Sequence, residues 1–195
     1  MEDLWKTRDK SLFKPSQVRL PLPVTRPRYN NVVPFIIRDF QPGDFDMLWR
    51  IDQDCFPPGI SYSRPELRAY MRWRGSFTLV AARDATSNSS ESAAADGSVG
   101  GFIVSEADNR GSGHVITIDV VKAARRSGVG SLLLQAAEDR MRAAHCRKVE
   151  LETAVDNVSA LSFYKRHGYS VVKIYPGYYS DGVDALVLQK DLVRK

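Results

Sequence analysis

The stretch Arg125-Arg126-Ser127-Gly128-Val129-Gly130 constrains this chain more than any other. It follows the apolar run ending in Val120-Val121 and opens a helical stripe of Val129, Leu132, Leu133, Ala136 and Met141. A strand that feeds a glycine-bearing turn and then a helix lets the backbone approach a ligand closely, with the free N–H groups of the first helical turn pointing at it. Two adjacent arginines add positive charge, so the segment reads as an anion site. Its ligand is narrowed by mismatch, because there is no G-x-x-x-x-G-K-[ST] loop and two glycines fall short of the dinucleotide G-x-G-x-x-G. A glycine-eased turn with solvated arginines fits the same six residues as well.

The rest of the chain supplies strands and helices around that turn. Residues 35–40 read as a strand, and 44–55 as a helix with Phe45, Leu48, Ile51 and Cys55 on one face. Ser63-Arg64-Pro65-Glu66 is an S-x-x-E capping box, opening a helix with Leu67, Tyr70 and Met71. Strands are expected at 77–82, 99–105, 114–121, 149–153, 169–174 and 185–188, and Asn157 caps a helix running to His167 with Gly168 behind it. The sum is a mixed α/β sheet with helices on its faces.

Charge and composition divide the chain unevenly. Residues 1–33 hold seven Lys/Arg against three Asp/Glu, so four of the five net positive charges lie there, among several prolines. That segment reads as a basic arm outside a domain at 34–195, and 84–98, rich in Ser and Ala, as a flexible loop between two strands. The arm offers at most a weak ribosome or anionic contact; a solvated leader explains it as well. Cys55 and Cys146 have no CxxC or metal-ligand spacing, which suits a reducing compartment and no metal site. No apolar run approaches the roughly 18 residues of a membrane span, and the acidic start lacks a signal-peptide core. The expectation is a cytoplasmic protein with neither membrane nor specific nucleic-acid partners.

A second constellation, Asn157-Val158-Ser159-Ala160-Leu161-Ser162-Phe163-Tyr164, ends in Gly168-Tyr169 and follows the next strand. With the first it resembles the signature of the GCN5-related N-acetyltransferases, R-x-x-G-x-G and then N-x-x-A-x-x-x-Y with G-[FY] behind. The resemblance covers roughly residues 35–192 and implies that family's fold, a mostly antiparallel sheet with a splayed central strand pair and helices on both faces. It implies acetyl-CoA as the bound group. Backbone groups of Ile118, Asp119 and Val120 would hold the pantetheine arm, and Arg125, Arg126, Ser127, Gly128, Val129, Gly130 and Ser131 the pyrophosphate. Asn157, Ala160 and Tyr164 would face the thioester end.

Within that family the chain is most similar to the RimI-like and protein N-terminal acetyltransferases. Leu151-Glu152 ahead of Asn157, the Phe56-Pro57-Pro58 loop and the Tyr178-Tyr179-Ser180-Asp181-Gly182 segment carry this likeness. It implies that Phe56, Pro57, Ile60 and Tyr62 on one side, and Tyr178 and Tyr179 on the other, close over a peptide whose N-terminal amine is acetylated by direct transfer. An α-amine titrates near 7.7 to 8.0, so a modest base suffices to deprotonate it. Glu152, alone or through a water, is the candidate base, and His114 on the neighbouring strand could share that water. The Tyr164 phenol, with an ordinary pKa near 10, could protonate the leaving thiolate. Two alternatives stand beside this reading: acetylation of a lysine, polyamine or other small amine, and a noncatalytic CoA-binding subunit.

Overall fold

The computed structural model describes residues 35–57, 59–83, 99–179 and 182–193; the expected basic arm and the Ser/Ala loop lie outside these. The elements are β1 (Phe35–Asp39), α1 (Phe45–Cys55), α2 (Arg64–Arg72), β2 (Ser76–Arg83), β3 (Val99–Ala107), β4 (Ser112–Val120), α3 (Val129–Ala143), β5 (Lys148–Ala154), α4 (Val158–Arg166), β6 (Ser170–Tyr175) and β7 (Ala185–Asp191). The seven strands form one sheet in the order β1-β2-β3-β4-β5-β7-β6. Every neighbouring pair is antiparallel except β4 with β5.

Local signals place the helix ends. Ser63 Oγ accepts from the Glu66 N–H while the Glu66 carboxylate accepts from the Ser63 N–H, completing the capping box that starts α2. Asn157 Oδ1 accepts from the Ala160 N–H at 3.1 Å to cap α4, and Gly168 follows that helix at φ +86°.

One face of the sheet packs Leu79, Ala81, Ile103, Val115, Val149, Leu151 and Leu188 against α3 and against Tyr164 and Tyr169. Alternate residues Val80, Phe102 and Val104 turn to the other face, where α1 and α2 bury Phe45, Leu48, Ile51, Leu67 and Tyr70. The buried stripe of α3 differs from expectation. Leu132 and Ala136 are half-buried, and Leu133, Leu134, Ala137 and Glu138 are fully covered. The sheet covers one flank and Tyr169 with β7 the other, so the buried arc is wider than a single stripe. Glu138 sits inside it because Lys190 Nζ (2.6 Å), Arg142 Nη2 (3.0 Å) and the Tyr169 hydroxyl (3.1 Å) all donate to its carboxylate.

A bulge in β4 shapes everything that follows. Val104 pairs with Thr117 and Ser105 with Val115, so Ile116 is the extra residue and the side-chain alternation shifts across it. Val115 before the bulge and Ile118 and Val120 after it all face α3, while His114, Thr117 and Asp119 face the α1 side. β4 and β5 pair only over Ser112 to His114 against Lys148 to Glu150. Beyond those three residues the two strands run on without a ladder between them.

Candidate active site

The gap between β4 and β5 opens at the end of the sheet where α3 begins. Val121 N–H donates to Gly100 O at 3.0 Å, and backbone groups alternate sides along a strand. Asp119, paired with Phe102, therefore turns its N–H and C=O toward β3, whereas Ile118 and Val120 turn theirs toward the gap. This corrects the expectation that all three residues offer backbone groups to a ligand in the gap. The Val120 carbonyl already accepts from Arg125 Nε at 3.0 Å and from Cys55 Sγ at 3.5 Å. The Ile118 groups and the Val120 N–H remain turned to the opening.

At the head of the gap the backbone enters the left-handed region twice, at Arg126 (φ +63°) and Gly128 (φ +94°), before α3 starts. Glycine meets that conformation freely; the arginine does not, and its strain points to a backbone shaped for a ligand. No side chain caps α3, so its first N–H groups, from Val129 to Ser131, stay open to an anion. A Cβ added at Gly130 would sit 3.5 Å from the Phe163 ring, an ordinary contact that the fold itself accommodates. Ser127 Oγ donates to the Ala124 carbonyl at 2.7 Å, and Ser131 Oγ lies 3.0 Å from His167 Nε2. His167 Nδ1, 2.8 Å from the Phe163 carbonyl, is its donor, so Nε2 accepts from Ser131. This link between α3 and α4 has no signature in the sequence.

His114 and Glu152 lie on the α1 face of the same gap. His114 Nε2 lies 2.7 Å from Glu152 Oε2, a direct contact where a shared water was expected. The ring remains 32% exposed. Burial pulls the imidazolium down, but the Glu152 hydrogen bond and the charges of Glu152, Glu106 and Glu150 outweigh it, so its pKa ends above the usual 6.5. Glu150 is held separately by Lys148 Nζ at 2.7 Å, which leaves Glu152 as the carboxylate facing His114.

Tyr164 is 6% exposed and packs against Phe163 and Tyr169. Burial first, then the charges of Asp119 and Tyr179, drive its phenol well above 10. Asp119 is fully buried beneath it, its Oδ2 accepting from Thr117 Oγ1 at 2.8 Å, and burial followed by the charge of Asp52 raises its pKa far above the carboxylate range. Cys55 is raised by burial and then by Asp119, which makes it a poor nucleophile.

Two aromatic clusters lie near this site. Tyr62 follows α1 and packs edge-on to Tyr70 with centroids 4.9 Å apart. Tyr178 and Tyr179 form an edge-on pair at 5.2 Å, with Tyr178 stacked on Tyr175 at 6.0 Å. Asp184 Oδ1 holds this turn by accepting from the Gly177 N–H at 2.8 Å. Tyr178 lies within electrostatic reach of Tyr62, and Tyr179 of Tyr164. Phe56, Pro57 and Ile60 lie in the same loop ahead of Tyr62; Pro58, Ser180 and Asp181 lie outside the described residues.

A splayed strand pair running into an uncapped, glycine-opened helix offers unpaired backbone groups along a gap and an anion-ready helix end at its head. Residues 45–169 match the acetyltransferase (GNAT) family, and the chain belongs to that family. It is an acetyltransferase, and acetyl-CoA is its acyl donor. An uncharacterised N-acetyltransferase of Methanocaldococcus jannaschii is 33% identical over 156 residues, 80% of this chain and 90% of that protein. N-alpha-acetyltransferase 30 of Schizosaccharomyces pombe is 36% identical over 143 residues, 72% of this chain and 86% of that one. The crystal structure of Ard1 from Thermoplasma volcanium aligns with a TM-score of 0.70 at 29% identity, covering 83% of this chain and 100% of that one.

Proposed function

We propose that this enzyme acetylates the N-terminal α-amine of a protein or peptide by direct transfer in a ternary complex. The observation that carries the proposal is the His114–Glu152 pair where β4 and β5 part, with Tyr62 and the Tyr178–Tyr179 pair within electrostatic reach of one another beside the same gap; in this reading those rings wall the acceptor groove. The similarity to N-alpha-acetyltransferase 30 supports the same acceptor. An extended backbone fills a groove between two aromatic walls, whereas a small amine leaves most of it unused.

In this reading Arg125, Arg126, Ser127, Gly128, Val129, Gly130 and Ser131 hold the pyrophosphate, and Ile118 and Val120 hold the arm. Asn157 and Ala160 place the first turn of α4 at the thioester end. The thioester supplies an activated acyl carbon and a thiolate leaving group. Glu152, paired with His114, takes the proton of the incoming ammonium. The raised pKa of His114 brings its basicity closer to that of an α-amine, so the proton transfer is less uphill than to a free imidazole. The raised phenol of Tyr164 keeps its proton until a strong base stands beside it. It acts first as a hydrogen-bond donor to the leaving sulfur, whose own basicity rises in the same desolvated gap, and this replaces the expectation of an ordinary phenol near 10.

Among the described residues no helix is long and apolar enough to cross a membrane, and Cys55 and Cys146 are both free thiols. The free thiols support a cytoplasmic site of action, where the basic leader would make weak contact with a ribosome or another anionic surface. The acceptor is tested by comparing turnover of peptides with free and with blocked N-termini. Equal turnover of the two would defeat the proposal.

A further inference from the structure

Three side chains on one face of α1 hold a single residue of the acceptor loop by its backbone. Trp49 Nε1 donates to the Tyr62 carbonyl at 3.1 Å, Gln53 Nε2 donates to the same oxygen at 2.8 Å, and the Tyr62 N–H donates to Asp52 Oδ2 at 2.8 Å. Positions 49, 52 and 53 are spaced i, i+3, i+4, so one helical face presents all three. Gln53 is exposed, but Asp52 is fully buried. Its Oδ2 also accepts from Gln53 Nε2 at 2.9 Å, while Oδ1 is buried with no partner among the described residues. A carboxyl in that position is costly unless its bonds serve a purpose. The bond it makes outside its own helix fixes the residue whose ring faces Tyr178.

We infer that Asp52 is a positioning residue for the acceptor: by holding the Tyr62 N–H it sets the groove wall opposite Tyr178 and Tyr179, and so governs peptide affinity without touching acetyl-CoA. The inference rests on the N-terminal acceptor proposed above. The groups facing the Asp52 carboxyl are Gln53 on its own helix, Tyr62 in the loop, Glu66 of α2 and Asp119 of β4. Burial first brings its pKa up to about 6, with Glu66 adding to the rise and the Tyr62 and Gln53 bonds opposing it. An ionised carboxylate holds an N–H more strongly than the neutral acid does. The pin therefore slackens as pH falls through about 6, and the peptide KM rises with it.

The test compares wild type, Asp52→Leu, Asp52→Asn and Gln53→Leu on a short peptide with a free N-terminus, with acetyl-CoA affinity measured by calorimetry and folding by thermal unfolding. Asp52→Leu should raise the peptide KM about tenfold and Gln53→Leu about threefold, with kcat and acetyl-CoA affinity within about twofold of wild type. Asp52→Asn keeps only a neutral acceptor oxygen, so its KM should lie near the raised value that wild type reaches toward pH 5.5 and should stay flat between about pH 5.5 and about pH 8. An unchanged peptide KM in folded variants, or an equal loss of acetyl-CoA affinity, would overturn the inference. If Asp52→Leu does not fold, the exposed Gln53→Leu change and the Asp52→Asn pH profile decide it in the same terms. Wild type that leaves the peptide unacetylated while turning over another amine would instead defeat the acceptor reading itself.

Discussion

His114 Nε2 and Glu152 Oε2 lie 2.7 Å apart, at the point where β4 and β5 part. The Glu152 contact favours the charged imidazolium of His114. With His114 raised above 6.5, the pair releases its proton later than a free imidazole and sets the acid limb of the rate. The pH profile of kcat/KM should show an apparent pKa above about 6.5 on that limb. His114→Gln should shift the limb downward and lower kcat by about tenfold to a hundredfold. A limb identical in wild type and variant would remove His114 from proton transfer.

The same shift bears on stability. A histidine whose folded pKa exceeds its unfolded value stabilises the protein fully below the unfolded pKa, and that contribution is lost as pH rises through the folded value. The thermal midpoint of wild type should therefore fall between about pH 6 and about pH 8.5 by more than that of His114→Gln. A larger fall in the variant would contradict the direction of the shift.

The cradle makes separate demands on backbone and charge. Gly128 sits at φ +94°, so Gly128→Val forces a β-branched residue into a left-handed conformation and should abolish measurable acetyl-CoA binding. Arg126→Ala keeps its strained backbone and loses only the guanidinium, which should weaken binding by about 1.5 to 3 kcal/mol. Calorimetry on both variants checks this, and wild-type affinity in both would displace the pyrophosphate from this turn.

Much of this site is legible in the sequence, and the parts that are not share a cause. Glycines at 128 and 168 and the cap at Asn157 act within a few residues of themselves, so their roles can be read locally. The His114–Glu152 contact lies ahead of the bulge and is within reach of the sequence, but the bulge at Ile116 resets side-chain parity for Thr117 and Asp119 with no residue type to announce it. The same register turns the Asp119 backbone toward β3 instead of the gap. Asp52 and Glu138 lie in helices whose pattern would place acids on the wet side. Each is buried because of groups on other elements, Tyr62 for one and Lys190 and Tyr169 for the other.

Glu138 supplies a stability test remote from the groove floor. Glu138→Ala leaves Lys190, partly buried, and the Tyr169 hydroxyl without their acceptor. Breaking one side of a buried charge cluster should cost about 3 to 5 kcal/mol, seen as a large drop in the denaturation midpoint. A loss below about 1 kcal/mol would show that solvent replaces the carboxylate freely.

The aromatic walls and the buried phenol should separate in steady-state kinetics. Replacing Tyr178 and Tyr179 by alanine should raise the peptide KM several-fold with acetyl-CoA affinity intact, because in the proposed reading their paired rings grip the acceptor and not the cofactor. Tyr164→Phe should depress kcat by about tenfold or more with the peptide KM held. Equal effects on both parameters in both variants would mean the rings serve the fold rather than the reaction.

The most direct test of the account is free-thiol release from acetyl-CoA, measured side by side on a free-N-terminus peptide, the same peptide with its α-amine blocked and an internal lysine free, and a polyamine. The account predicts rapid release with the free peptide, acetyl located on its α-nitrogen by mass spectrometry, and release near background with the other two. Comparable or faster release with the polyamine or the blocked peptide would contradict it.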